Sequence, residues 1–98
     1  MTQPSNEVTQ SPAVVLFLSS GTPSSERARS TVQTAMSNAG LPDSALDIVD
    51  VRTDPARAMR AGAIVVPMVS VIAGDDHRWY AGDFEDLRDL DALFRGLA

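Results

Sequence analysis

Residues 64–72 read Ile-Val-Val-Pro-Met-Val-Ser-Val-Ile, a run with the apolar, β-branched character of a buried strand that nonetheless carries Pro67 near its start. Proline has no N–H to give to a sheet ladder, so within a sheet it is confined to the first residue of a strand, an edge or a bulge. The run therefore predicts a strand entered at Pro67 and continuing beyond it.

The rest of the chain supplies its neighbours. Val14 to Leu18 is an unbroken apolar run, which suits a central strand covered on both faces. Ala28, Val32, Ala35, Met36 and Ala39 then recur at spacings of three and four, the stripe of an amphipathic helix that Thr22 caps, Pro23 opens, and Gly40 with Pro42 ends. Leu46 to Val51 is a second strand, so the amino-terminal half reads as a right-handed βαβ unit with parallel strands. Asp54 and Pro55 open a short helix that Gly62 stops. After the Pro67 strand, Ala73-Gly74-Asp75-Asp76 is a turn and His77 to Ala81 an antiparallel return strand. Asp83 is placed to cap a last helix whose buried face is Phe84, Leu87, Leu90, Leu93, Phe94 and Leu97. The predicted order is βαβαββα.

Ninety-eight residues suffice for one domain and one core. Hydrophobic residues at 44% and charged residues at 21% match an ordinary soluble globular protein. A net charge of −5 excludes general affinity for nucleic acid or an anionic membrane, which depends on clustered cations. The chain has no cysteine, which excludes disulfides, thiolate chemistry and cysteine metal sites. Residues 1–12, polar throughout and without a basic start or apolar run, are expected to be a disordered leader on a cytoplasmic protein, with residues 13–98 as the single domain.

A βαβ unit, a connecting helix, a β-hairpin and a final helix resemble the minimal thioredoxin-like fold, an α/β arrangement with a four-stranded mixed sheet in the order 2-1-3-4 and a cis-proline, here Pro67, opening the third strand. Where a thioredoxin carries its cysteine pair, this chain reads Ser19-Ser20-Gly21-Thr22-Pro23-Ser24, so thiol–disulfide exchange is excluded. Four motifs with preserved spacing, spanning about residues 14 to 94, resemble the KaiB family of circadian-clock proteins. Thr22, Pro23, Ser25, Arg27 and Ala28 match its T-P-x-S-x-R-A. Ile48, Val49, Asp50, Val51, Asp54 and Pro55 approximate V-I-D-V-x-x-N-P. Val65 to Val69 resemble A-T-P-T-L, and Gly82 to Asp86 resemble G-D-L-S-D.

Two departures stand beside these matches. The family's L-P-P-P run is replaced by Ala73-Gly74-Asp75-Asp76, which is expected to hold the chain in the thioredoxin-like state of a family known for fold switching. The family's charged A-E-E-D-K segment is replaced by Ala58-Met59-Arg60-Ala61-Gly62, so the partner contact is expected to differ or to be rebuilt around arginine.

The resemblance implies a non-enzymatic interaction module without cofactors, docking onto a KaiC-like hexameric ATPase or a sensory histidine kinase. It points to Arg52, Asp54, Pro55, Arg57, Met59 and Arg60 as partner-binding residues and to Pro67, Gly82 and Asp83 as fold-setting ones. The alternative is a redox-inactive thioredoxin-fold adaptor or peptide binder outside any clock, and a third reading is an enzyme using the helix amino terminus at Gly21 to Ser25 as an anion site. Trp79 and Tyr80 are adjacent on a strand and so point to opposite faces, one of them available as an interface anchor. His77 has no cysteine with which to share a metal, and the acidic group Asp83, Glu85, Asp86, Asp89 and Asp91 is read as helix capping and a solvated face. No metal site is expected. Self-association is left open, because edge strands are free to pair.

Overall fold

The computed structural model describes residues 13–63, 65–82, 84 and 87–97. Its elements are β1 (Ala13–Leu18), α1 (Pro23–Asn38), a 3-10 turn (Asp43–Ala45), β2 (Leu46–Asp50), α2 (Pro55–Arg60), β3 (Met68–Ala73), β4 (Asp76–Ala81) and α3 (Leu87–Phe94). The four strands form one sheet in the order β2-β1-β3-β4. β1 runs parallel to β2 and antiparallel to β3, which is in turn antiparallel to β4. This is the architecture the sequence predicts.

Local chemistry sets the boundaries. Thr22 is extended at φ −96° and its Oγ1 accepts from Ser25 N–H at 3.3 Å, capping α1 ahead of Pro23. The other end closes as a Schellman motif: Gly40 at φ +81° donates to Ser37 and Leu41 N–H donates to the Met36 carbonyl at 2.8 Å. Buried Leu41 supplies the apolar contact such an ending favours. α2 repeats the device in miniature, with Asp54 accepting from Arg57 N–H, Gly62 at φ +74°, and Ala63 N–H reaching the Ala58 carbonyl at 2.9 Å.

The strand predicted to be entered at Pro67 begins at Met68, immediately after it, and runs on to Ala73. The Val66–Pro67 peptide bond is cis. Pro67 cannot donate, but its carbonyl accepts from Gly82 N–H at 3.3 Å, so the β3–β4 ladder closes over it. The hairpin turn is two residues, Gly74 at φ +62° and Asp75, because Asp76 already pairs with Ala73.

α1 and α3 pack on one face of the sheet. Leu16, Leu18, Val69 and Val71 meet Val32, Met36, Leu90 and Phe94 there, each burial stabilising by roughly 1.5–3 kcal/mol. Tyr80 joins them edge-on to Phe84, ring centroids 5.3 Å apart at 74°. Among the described residues the other face carries only α2, whose Ala58 packs with Phe17, Val49 and Met68. A six-residue helix is about 9 Å long and leaves much of that face uncovered.

Candidate functional site: an uncovered sheet face beside the short helix

Strand periodicity determines what the uncovered face displays. The register Met68↔Ala81, Ser70↔Trp79 and Ile72↔His77 places these six side chains on the α2 side of the sheet. Four large apolar side chains among the described residues are exposed: Met59 at 79%, Trp79 at 65%, Val65 at 54% and Ile72 at 46%. Trp79 and Val65 line a shallow cavity of about 180 Å³ and its extension, which share Gly62, Met68 and Trp79, and Met59 stands outside the lining, in the last turn of the adjoining helix. On its floor Ser70 Oγ and His77 Nε2 lie 3.0 Å apart. That pair has the spacing of a nucleophile and base, but among the described residues nothing bonds the other ring nitrogen to orient it as a catalytic base requires. The arrangement suits binding: apolar walls with one polar pair to orient an occupant.

The sequence-predicted partner residues lie along the neighbouring edge, on α2 and the turn before it. Arg57 is bound to Asp47 of β2 across the sheet edge. Arg52 Nη1 donates to the Ser20 carbonyl at 3.0 Å, and Asp54 is occupied in capping α2. Arg60 alone of the three arginines has no partner among the described residues. Two guanidinium groups are thus spent internally, and Asp47, Asp50 and Asp54 balance the three cations. Met59 is 79% exposed, and Pro55 is exposed at the start of the helix. Pro67 is buried, and Gly82 takes φ +117° just after β4. Asp83 lies outside the described residues, as do Ile64, Glu85 and Asp86.

The turn after β1, read as an anion site, is satisfied by the chain's own acceptors. Ser19 N–H donates to the buried Ser25 Oγ at 3.0 Å and Ser20 N–H to Asp50 Oδ1 at 3.3 Å. Asp50 also accepts from Arg52 N–H at 3.0 Å. Hydrogen bonding from Ser20, its side chain foremost, and then from the Arg52 backbone holds the Asp50 carboxyl below the usual carboxylate range. The Ser20 and Ser25 N–H groups are thereby committed to the chain's own Asp50 and Thr22 side chains.

Among the described residues no three His, Asp or Glu side chains gather into a metal-binding group, and no helix is long and apolar enough to cross a membrane. Sequence reasoning flagged Trp79 but missed Val65, Ile72 and the Ser70–His77 pair. The available signal was the shortness of the helix between Asp54 and Gly62, too small to roof four strands.

The solved structures that superpose on this geometry share its topology. A mutant thioredoxin from Halobacterium salinarum matches with a TM-score of 0.72 at 17% identity, covering 89% of this chain and 74% of that one. The fold is thioredoxin-like. The germline-specific thioredoxin Deadhead of Drosophila melanogaster matches at 0.66 and 16% identity, over 89% of this chain and 81% of that one. The N-terminal domain of Synechococcus elongatus SasA matches at 0.69 and 14% identity, over 95% of this chain and 88% of that one. No protein-family model and no curated protein matches the sequence. Within this thioredoxin-like frame, the turn after β1 reads Ser19 to Ser24 without a cysteine, and the face beside α2 is uncovered among the described residues.

Proposed function

We infer that this chain is a non-enzymatic interaction module of the KaiB type, which docks the face formed by α2, the loop before Pro67 and the open side of β3 and β4 onto a larger partner. The observation that carries this reading is the exposed pair Val65 and Trp79 at one shallow cavity, with exposed Met59 on the adjoining helix, since grouped apolar side chains on a soluble domain mark binding surfaces. By the KaiB resemblance the partner is a KaiC-like ATPase or a sensory histidine kinase. The likeness to the SasA domain supports the fold on which this rests. Because the arginines are locally balanced, Met59, Val65 and Trp79 supply the affinity, and Arg60 orients the contact.

The test is titration of the chain with a purified ATPase of the KaiC type and with the sensory kinase of the same organism. Binding is expected to one of them, weakened at least about tenfold by Met59→Arg or Val65→Asp with the thermal midpoint unchanged. Binding that neither substitution alters would place the contact elsewhere, and binding to neither protein would favour the redox-inactive adaptor reading.

A further inference from the structure

β4 is an outer strand of the sheet, and the phase of its ladder determines which of its backbone groups are unpaired. Gly82 N–H bonds the Pro67 carbonyl, so that position is a closely bonded pair. Antiparallel ladders alternate, which turns Tyr80 and Arg78 inward to β3 and leaves the N–H and C=O of His77, Trp79 and Ala81 facing outward. The same three residues carry their side chains on the uncovered face. One strip therefore offers six backbone groups without a partner among the described residues and an indole that is 65% exposed.

The usual protections of an edge are missing. β4 has neither proline nor lysine, and its register with β3 runs from Ala73↔Asp76 to Met68↔Ala81 without a bulge. Its charges also cancel, because Asp76 Oδ2 accepts from Arg78 Nη2 at 2.7 Å and from Nε at 3.0 Å. A strand with these properties is its own complement. Turned end for end about Trp79, the outward set maps onto itself, His77 against Ala81 and Trp79 against Trp79, so all six outward groups are bonded. The two adjacent symmetric registers are poorer: centred on Arg78 only His77 and Trp79 pair within the strand, and centred on Tyr80 only Trp79 and Ala81, so each bonds four of the six outward groups.

We propose that β4 pairs antiparallel with β4 of a second copy of this chain, on a two-fold axis through Trp79, joining two four-stranded sheets into one of eight. The interface is isologous and closes on itself. A six-residue strand is about 20 Å long, and a contact of that extent falls in the small, transient class below about 1,200 Å². The dimer is accordingly reversible. It tightens with salt, because each chain carries a net charge of −5 and the two repel at low ionic strength.

Sedimentation equilibrium of the full chain from about 1 µM to about 1 mM, with Trp79 emission read in parallel, tests the proposal. Trp79 is the sole tryptophan, so its spectrum reports this edge alone. The average mass should rise from one chain towards two as the emission shifts to the blue, and Trp79→Lys should stay monomeric throughout. The register is tested separately in this cysteine-free chain: His77→Cys mixed with Ala81→Cys under oxidised glutathione should give a cross-linked dimer, whereas Ala81→Cys alone should not. A mass that stays at one chain up to 1 mM, a dimer that survives Trp79→Lys, or cross-linking of Ala81→Cys to itself would overturn the proposal. So would binding of an extended peptide of another protein to β4 by a chain that never self-associates.

Discussion

Arg78 of β4 donates through Nη1 to the carbonyl oxygen of Leu93 at 2.8 Å, so a strand side chain closes the last turn of α3. The same nitrogen reaches the Arg95 carbonyl at 3.1 Å. α3 has no basic residue in its own last turn, and Arg78 supplies the cation that the carboxyl end of a helix favours. Arg78→Met keeps the stem and removes the donors. It should lower stability by about 1–2 kcal/mol, read from the urea midpoint at unchanged m-value. A change below about 0.3 kcal/mol would show that solvent replaces these bonds.

Asp50 ties the turn after β1 to the turn after β2, and its depressed pKa gives stability a pH dependence of fixed sign. A carboxylate whose folded pKa lies below its unfolded value contributes stability above the unfolded value, near 3.8, and loses it as pH falls through the folded one. Asp50→Asn should therefore flatten the acid limb of a stability-against-pH curve below about pH 4 while leaving the slope above pH 6 unchanged. An identical acid limb in the variant would show that other carboxylates govern acid unfolding.

Gly21 sits at φ +87° in the turn before α1. A Cβ built there meets only Arg52 Nη1, at the ordinary contact distance of 3.8 Å, so the cost of Gly21→Ala is purely conformational. Thermal or urea unfolding should show a loss of about 1–2 kcal/mol. A neutral result would mean that the turn adopts another backbone shape.

The two faces of the sheet should respond unequally to truncation. Leu90→Ala, at a fully buried position, should cost about 2–5 kcal/mol, and Met59→Ala, 79% exposed, about 0.5 kcal/mol or less. Comparable losses from both would place Met59 in the core and remove the basis for the docking face.

The two-residue turn at Gly74 and Asp75 holds β3 and β4 as a hairpin. NMR secondary shifts should therefore show residues 87–94 helical and 76–81 extended at every concentration and temperature below unfolding. A slowly exchanging second set of signals with residues 87–94 extended would demonstrate fold switching.

Much of this architecture was legible because its signals are local. Thr22-Pro23 and Asp54-Pro55 begin helices, Gly40 and Gly62 end them, and Pro67 marks the entry to β3, since each acts through its own backbone or a neighbour within four residues. The site was less legible because it is made by register and by omission. Ser70 and His77 meet only through the β3–β4 pairing, and Arg57 is claimed by Asp47, ten residues away, across a sheet edge no local pattern reports. Trp79 and Tyr80 were separable by strand alternation, but that Trp79 faces solvent follows from what does not pack on it. The 3-10 turn at Asp43–Ala45 passed unread because three residues carry no periodicity.

Among the described residues, fourteen buried apolar side chains hold the α1 and α3 side of the sheet together, whereas four hold the side of α2. Sequence drift on the thinner side therefore leaves the scaffold standing, and a lineage built on this frame is free to exchange one associate for another while its architecture stays the same.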